Sequence, residues 1–177
     1  MSILNDRKIQ LLAESLQMLV PFSRSHLNSF GYDLTLSTKF LIPVPNYLEG
    51  TIVDPLSIEG VTFREFEGDH CVIPPNSFIL GCSREFLTMP PNVTGICMGR
   101  SSYARCGIIS NVTPLEAGWK GVVTIEISNS NRLPAKVHAD LGIVQVVFFE
   151  GDLPERTYTQ RGGRYQDQKG ITLPRGL

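Results

Sequence analysis

Seven consecutive residues, Gly99-Arg100-Ser101-Ser102-Tyr103-Ala104-Arg105, set two hydroxyls and two guanidinium groups beside the backbone N–H groups of a turn. That combination suits a polyphosphate, because oriented N–H groups favour negative charge and arginine presents a planar fork of donors to phosphate oxygens. Further on, Gly118-Trp119-Lys120-Gly121 leads into Val122-Val123-Thr124-Ile125-Glu126. This apolar run reads as a strand that Glu126 interrupts where burial should be deepest. A carboxylate in a core strand is costly unless paired, which makes Glu126 a candidate acid–base group. Arg105, one helical turn after Ser101, is the expected partner, buried beside Glu126 and keeping it ionised until it takes a proton. Cradle, acid and cation together point to chemistry on a nucleotide-like anion.

Each feature has a plainer reading. Thr124, Glu126 and Ser128 alternate with Val123, Ile125 and Ile127, so Glu126 also fits the solvent face of a half-buried strand. The residue pattern leaves both readings open. Arg100 to Arg105 fits a capped helix start with serine as the cap, which is compatible with anion binding. Trp119, the only tryptophan, fits simple core packing. His26, His70 and His138 fall outside every motif and read as surface or loop residues, and no G-x-S-x-G elbow supports a serine hydrolase.

The elements that must position these groups are mostly strands. Asn5 caps a short expected helix in which Ile9, Leu12 and Leu16 recur at helical spacing. Strands are expected at residues 32–36, 40–44, 78–88, 94–98, 108–112, 122–128, 135–138 and 142–149. Pro74-Pro75, Pro90-Pro91 and Pro134 lie at their boundaries, where a missing N–H does least harm. Many short strands with turn signals between them imply a barrel or sandwich. At 177 residues, with no repeat and no linker, the chain is read as one domain, residues 1–177. From Thr157 onward the composition turns polar and glycine-rich, which fits either a frayed terminus or a lid, residues 157–177, closing over a ligand.

Composition narrows the function. Hydrophobic residues make up 42% and charged residues 19%, and the net charge of −1 gives no basic field for nucleic acid or an anionic membrane. No apolar run approaches the ~20 residues of a bilayer span, and MSILNDRKIQ carries no signal-peptide core, so a cytoplasmic location is expected. Cys71, Cys82, Cys97 and Cys106 form no C-x-x-C pair and have no accompanying H-x-E, the spacing that zinc deaminases need. Zinc is not expected, and the thiols read as buried small apolar residues.

The motifs, taken in order, resemble the dCTP deaminases, a branch of the trimeric dUTPase-like superfamily. Phe30 to Asp33 matches its Phe-Gly-Tyr-Asp, and Arg100 to Arg105 its Arg-Ser-Ser-x-Ala-Arg turn. Trp119, Gly121 and Glu126 match its Trp-x-Gly and catalytic glutamate, and Tyr165, Gln168 and Gly170 its C-terminal Tyr-x-x-Gln-x-Gly. The resemblance implies a mainly β fold, a distorted β-barrel of the dUTPase type with a short N-terminal helix. It also implies a homotrimer with sites between subunits and a C-terminal lid. The implied reaction is zinc-independent hydrolytic deamination of dCTP to dUTP and ammonia, in supply of dUMP and dTTP. Mg²⁺ would be bound through the triphosphate, and dTTP is a candidate inhibitor.

By the same resemblance Glu126, Ser101 and Arg105 are catalytic. Arg100, Ser102, Tyr103, Ala104, Glu116, Trp119, Thr124, Ile125, Gln145, Tyr158, Arg164 and Gln168 complete the substrate contacts. Trp119 would pack near the deoxyribose, and Thr124 and Ile125 would read the cytosine edge through their backbones. Two departures matter. Glu116 stands where the superfamily has the aspartate that activates water for phosphate hydrolysis, and a carboxylate displaced by ~1 Å can cost ~10²-fold in rate. The segment Thr113-Pro114-Leu115-Glu116 is also shorter than its counterpart. A dUTPase or bifunctional enzyme releasing dUMP and pyrophosphate is therefore the alternative, and a non-catalytic nucleotide-binding regulatory module is the alternative of another class.

Overall fold

The computed structural model describes residues 1–44, 53–56 and 62–176. Residues 45–52 and 57–61 of the expected single domain, and residue 177 of the expected tail, lie outside the described residues. The elements in chain order are β1 (Ser2–Ile3), α1 (Asp6–Leu16), β2 (Leu19–Val20), β3 (Leu27–Asn28), β4 (Gly31–Val44), β5 (Thr62–Glu67), β6 (His70–Ile73), β7 (Ser77–Thr88), β8 (Val93–Gly99), α2 (Ser101–Ala104), β9 (Ile108–Asn111), β10 (Lys120–Asn129), β11 (Ala135–His138) and β12 (Gly142–Glu150).

Helix α1 begins where expected, with Asn5 Oδ1 accepting the N–H of Lys8 at 3.0 Å. It ends at Gln17, whose φ of 53° turns the chain back so that Met18 N–H reaches Leu12 O. Ile9, Leu12 and Ala13 form its buried face. Leu16, expected on that face, lies in the last turn before the reversal and is 54% exposed.

The strands build a mainly β, curled half-barrel sheet whose central path runs β1-β12-β4-β7-β10-β9. Strand β8 lies along β12, while β2 pairs with β7 and both β3 and β5 with β4. The named strands pair antiparallel among the described residues, so each strand can bury one face and keep the other polar. The buried face of β10, with Tyr32, Leu34, Ile79, Leu87, Val146 and Phe148 from neighbouring strands, makes the core. The two expected strands at 32–36 and 40–44 are one, β4. Strands β5 and β6 were not expected: β5 is exposed along most of its length and so lacks an apolar run to mark it. Strand β6 pairs with β11 in a separate two-stranded ribbon, which places His70 opposite His138 on strands rather than in loops. No helix among the described residues is long and apolar enough to cross a membrane.

Three register shifts kink the sheet around its centre: β4 against β7, β7 against β10, and β12 against β4. Of the thiols, Cys71 and Cys82 are buried and Cys97 is half-buried, with burial pushing Cys97 up to about 12. Cys106 departs from the expectation. It follows the exposed turn of α2 and faces solvent.

Candidate active site

Strand β10 alternates as its sequence dictates. Val123, Ile125 and Ile127 enter the core, and Thr124, Glu126 and Ser128 share the opposite, half-buried face. Glu126 therefore does not sit at the deepest point of the core. It lies on the other side of the sheet, between Leu80 of β7 and Asn111 of β9, its register partners. Its carboxyl has no side-chain partner among the described residues, and desolvation raises its pKa above the usual glutamate value.

Beside Glu126 the outer edge of β10 has a gap. The N–H of Val122 bonds Gln168 O of the C-terminal segment at 2.9 Å, and β9 begins to pair only at Glu126. Strand alternation turns the backbone N–H and C=O of Thr124 toward that edge, where neither β9 nor the C-terminal segment pairs with them. An open N–H and C=O two residues from a half-buried carboxyl is a donor–acceptor edge suited to a planar heterocycle.

The phosphate turn lies elsewhere in the protomer. Helix α2 starts at Ser101, with Arg100 in the cap position and no side-chain cap, so the expected serine cap is not formed. Ser101, Ser102, Ala104 and Arg105 are exposed, and Tyr103 packs partly against the core. Arg100 is held in place: its Nε lies 3.3 Å from Asp33 Oδ2 and its Nη1 donates to Gly142 O at 3.0 Å. Asn28 fixes the same aspartate, donating to Oδ1 at 2.9 Å, and Gln145 is its register partner. Arg105 is not buried beside Glu126, as had been expected. Strand β9 explains the separation, since its Ile108 end leads back to α2 while Glu126 pairs with Asn111 at the other end. Among the described residues no ion pair joins Arg105 to Glu126.

The C-terminal segment is docked rather than frayed. Trp119 is buried and its Nε1 donates to Tyr165 O at 2.8 Å. Asp167 N–H bonds Lys120 O, and Gln168, 8% exposed, bridges in parallel to Gly121. The Thr124 hydroxyl donates to Gln168 Oε1 at 3.2 Å and accepts the N–H of Thr172 at 3.0 Å. Tyr158 OH accepts the N–H of Tyr165, and Gly163 packs so closely on the Tyr158 ring that a Cβ there would overlap it. Arg164 is exposed and donates to Gly176 O. Glu116 forms an ion pair with Arg161, beside a surface pocket of about 380 Å³ that Tyr158 also lines.

Two groups thus form within one chain. Thr124 and Glu126 share the outer face of β10, where Gln168 meets Thr124, and Arg100, at the start of the Ser101-Ser102 turn, is held by Asp33, the register partner of Gln145. Sequence reasoning missed Asn111, which register alone places beside Glu126. It also missed Glu85, which is 2% exposed: a carboxylate inside the apolar stretch 78–88 is the same signal that singled out Glu126. Among the described residues no group of three or more His, Cys, Asp or Glu side chains is placed to hold a metal.

The fold is thus an antiparallel half-barrel of the dUTPase type, carrying a carboxyl beside an open strand edge and a separate hydroxyl–guanidinium turn. The solved structures agree on the fold. A 2′-deoxycytidine 5′-triphosphate deaminase from Agrobacterium tumefaciens superposes with a TM-score of 0.68 at 20% identity over 84% of this chain. This chain spans about half of that one, 48%. A dUTPase from phage phi11 of S. aureus gives 0.50 at 13% identity, over 75% of this chain and 84% of that one. The chain belongs to the dCTP deaminase-like family, whose profile matches residues 3–151. Among curated relatives, the dCTP deaminases of Campylobacter concisus and Herpetosiphon aurantiacus are each 46% identical. The first aligns over all of both chains, the second over 99% of this chain and all of its own.

Proposed function

We propose that this chain is a zinc-independent hydrolase that converts dCTP and water to dUTP and ammonia. The observation that carries the reading is the pairing of Glu126 with the open backbone edge of Thr124. The full-length identity to curated dCTP deaminases supports the substrate. Thr124 and Ile125 would hold the cytosine edge with C4 toward Glu126. Glu126 accepts a proton from water as the water oxygen bonds to C4, and delivers that proton to N3. It then takes the remaining hydroxyl proton and passes it to the exocyclic nitrogen, so that the C4=O bond forms as the C4–N bond breaks and ammonia leaves. Its raised pKa suits a group that must both take and return a proton.

Ser101 and Arg105 complete the chemistry only if a second copy brings its α2 to this face. Their exposure, and their place at the far end of β9, support a homotrimer with each site shared between neighbours. Arg105 would orient Glu126 and Ser101 would bond the attacking water, while Arg100 and Ser102 would bind phosphate oxygens. Mg²⁺ would accompany the substrate on its phosphates, as no carboxylate cage forms among the described residues. The C-terminal segment would act as the lid, with Tyr158, Arg164 and Gln168 as partners for the triphosphate. The site of action would be the cytoplasm, where the triphosphate pool lies, with dTTP a candidate inhibitor.

A second reading, continued hydrolysis to dUMP and pyrophosphate, requires Glu116 to activate water. The Arg161 ion pair engages that carboxylate and favours release of dUTP. Chromatography of products from dCTP with Mg²⁺ tests all readings: dUTP is expected, dUMP with pyrophosphate would make the enzyme bifunctional, and no turnover would leave a binding module.

A further inference from the structure

We propose that Ser83 is a positioning residue for the base-side half of the site, its hydroxyl fixing the β10 backbone at Val123 and so setting where Thr124, Ile125 and Glu126 stand. The inference rests on the deaminase reading. Its observations come from the sheet alone.

Before Val123, β10 pairs Val122 with Phe86, and after it Thr124 pairs with Cys82. One residue of β10, Val123, therefore faces three of β7: Ser83, Arg84 and Glu85. Such a bulge breaks the ladder and leaves a buried N–H to be satisfied by other means. Ser83 supplies the acceptor. Its Oγ accepts the N–H of Val123 at 2.8 Å and donates to Glu85 O at 2.7 Å. Ser83 is 1% exposed and Val123 3%, so water has no ready way to replace the hydroxyl.

The other side of the bulge is fixed in the same manner. Glu85 Oε2 accepts the N–H of Thr35 at 2.9 Å and its Oε1 accepts the Thr35 hydroxyl at 2.8 Å. Thr35 lies two residues along β4 from Asp33, which holds Arg100. A single kink in β7 thus links the strand carrying the base edge to the strand that holds the phosphate-side arginine. Ser83 acts on the nearer half, because Val123 precedes the open Thr124 peptide directly. Without the hydroxyl, the Val123 peptide has no acceptor on β7 and must rotate to find one, carrying Thr124 and Glu126 with it. A shift near 1 Å at reacting groups costs on the order of 10²-fold in rate.

The test compares Ser83→Ala with Ser83→Thr, which keeps the hydroxyl, and with Val137→Ala, a buried truncation in the β6–β11 ribbon away from the site. The readouts are kcat and KM for dCTP, and calorimetric affinity for dCTP and for inorganic tripolyphosphate. Ser83→Ala is expected to lose roughly 10- to 100-fold in kcat/KM and to bind dCTP more weakly, with tripolyphosphate affinity unchanged. Ser83→Thr should recover most of the loss, and Val137→Ala should lower Tm without changing kcat/KM. If Ser83→Ala does not fold, Ser83→Cys, close in volume but a weak acceptor, must show the same dCTP-selective loss. Unchanged kcat/KM in the Ala or Cys variant, equal loss in the Thr variant, or equal loss of dCTP and tripolyphosphate binding would overturn the proposal. Wild-type protein that binds dCTP without turnover would instead sink the deaminase reading, and the calorimetric comparison would still judge Ser83.

Discussion

Glu126 and Glu85 are carboxylates on adjacent strands, and desolvation raises both, yet their surroundings give them different work. Glu85 is enclosed and bonded to Thr35, while Glu126 is half-buried with no side-chain partner among the described residues. Glu126→Gln should therefore lower kcat by roughly 10²- to 10⁴-fold, the range for loss of a general base, while calorimetry still shows dCTP binding. Appreciable ammonia release by this variant would remove Glu126 from the mechanism. The base must be ionised to act, and its pKa is raised, so the acid limb of a kcat/KM profile should fall at a higher pH than an ordinary glutamate would give. A limb at the ordinary value would assign it to another group. The alternation of Thr124, Glu126 and Ser128 with apolar residues carried the face that Glu126 takes as one of two open readings, because strand periodicity is local but a carboxylate within an apolar run also fits a core position. The Arg105 partnership was not readable, since it depends on where β9 leads the chain, and Asn111 became visible only through cross-strand register.

Among the elements, the strands near the site were legible because their apolar residues are buried, and β5 was not because it buries so little. The C-terminal segment was ambiguous for a related reason. It docks largely through its own backbone groups, which bond the Trp119 indole and the Lys120 and Val122 backbone, and such bonds leave little trace in its side-chain composition. Gly162-Gly163 reads as flexibility, yet Gly163 is required by the Tyr158 ring beneath it. Gly163→Ala should undock the segment at a cost of about 1–3 kcal/mol, from overpacking. Limited proteolysis should then cut after residue 157 sooner than in the wild type, and KM for dCTP should rise. Unaltered cleavage and KM would show that the packing can relax. Truncation after Asp152 should be more severe, because it also strips partners from Trp119 Nε1 and the Val122 N–H. Full activity in that truncated protein would rule out a lid.

At the scale of the whole molecule, the separation of α2 from Glu126 makes a quantitative demand on assembly. Glu126→Gln and Arg105→Ala subunits should each be inactive alone. Mixed at equal amounts after dissociation and reassembly, they should regain roughly a quarter of wild-type activity, because that share of interfaces joins an intact Arg105 to an intact Glu126. No recovery in verified mixed trimers would mean that each site is built within one chain. Folding stability carries a second signature. The folded state holds the proton of Glu85 to higher pH than the unfolded chain does, so stability is greatest below the unfolded pKa and declines as pH rises toward the folded one. Glu85→Gln should flatten that part of a denaturation-versus-pH curve, and an unchanged slope would place the proton elsewhere. The proposed trimer was suggested only by family resemblance, since the exposed apolar residues Ile96, Met98 and Ile109 are scattered among polar neighbours in the sequence.

The exposure of Cys106 has a practical consequence. Three of the four thiols are buried or half-buried, and only this one faces solvent, immediately after Arg105. Maleimide dyes should therefore attach at a single position without any engineered cysteine. A fluorophore there would stand beside the turn proposed to meet a neighbouring subunit's ligand. Its emission would report nucleotide arrival and subunit exchange in real time, in an otherwise unaltered polypeptide.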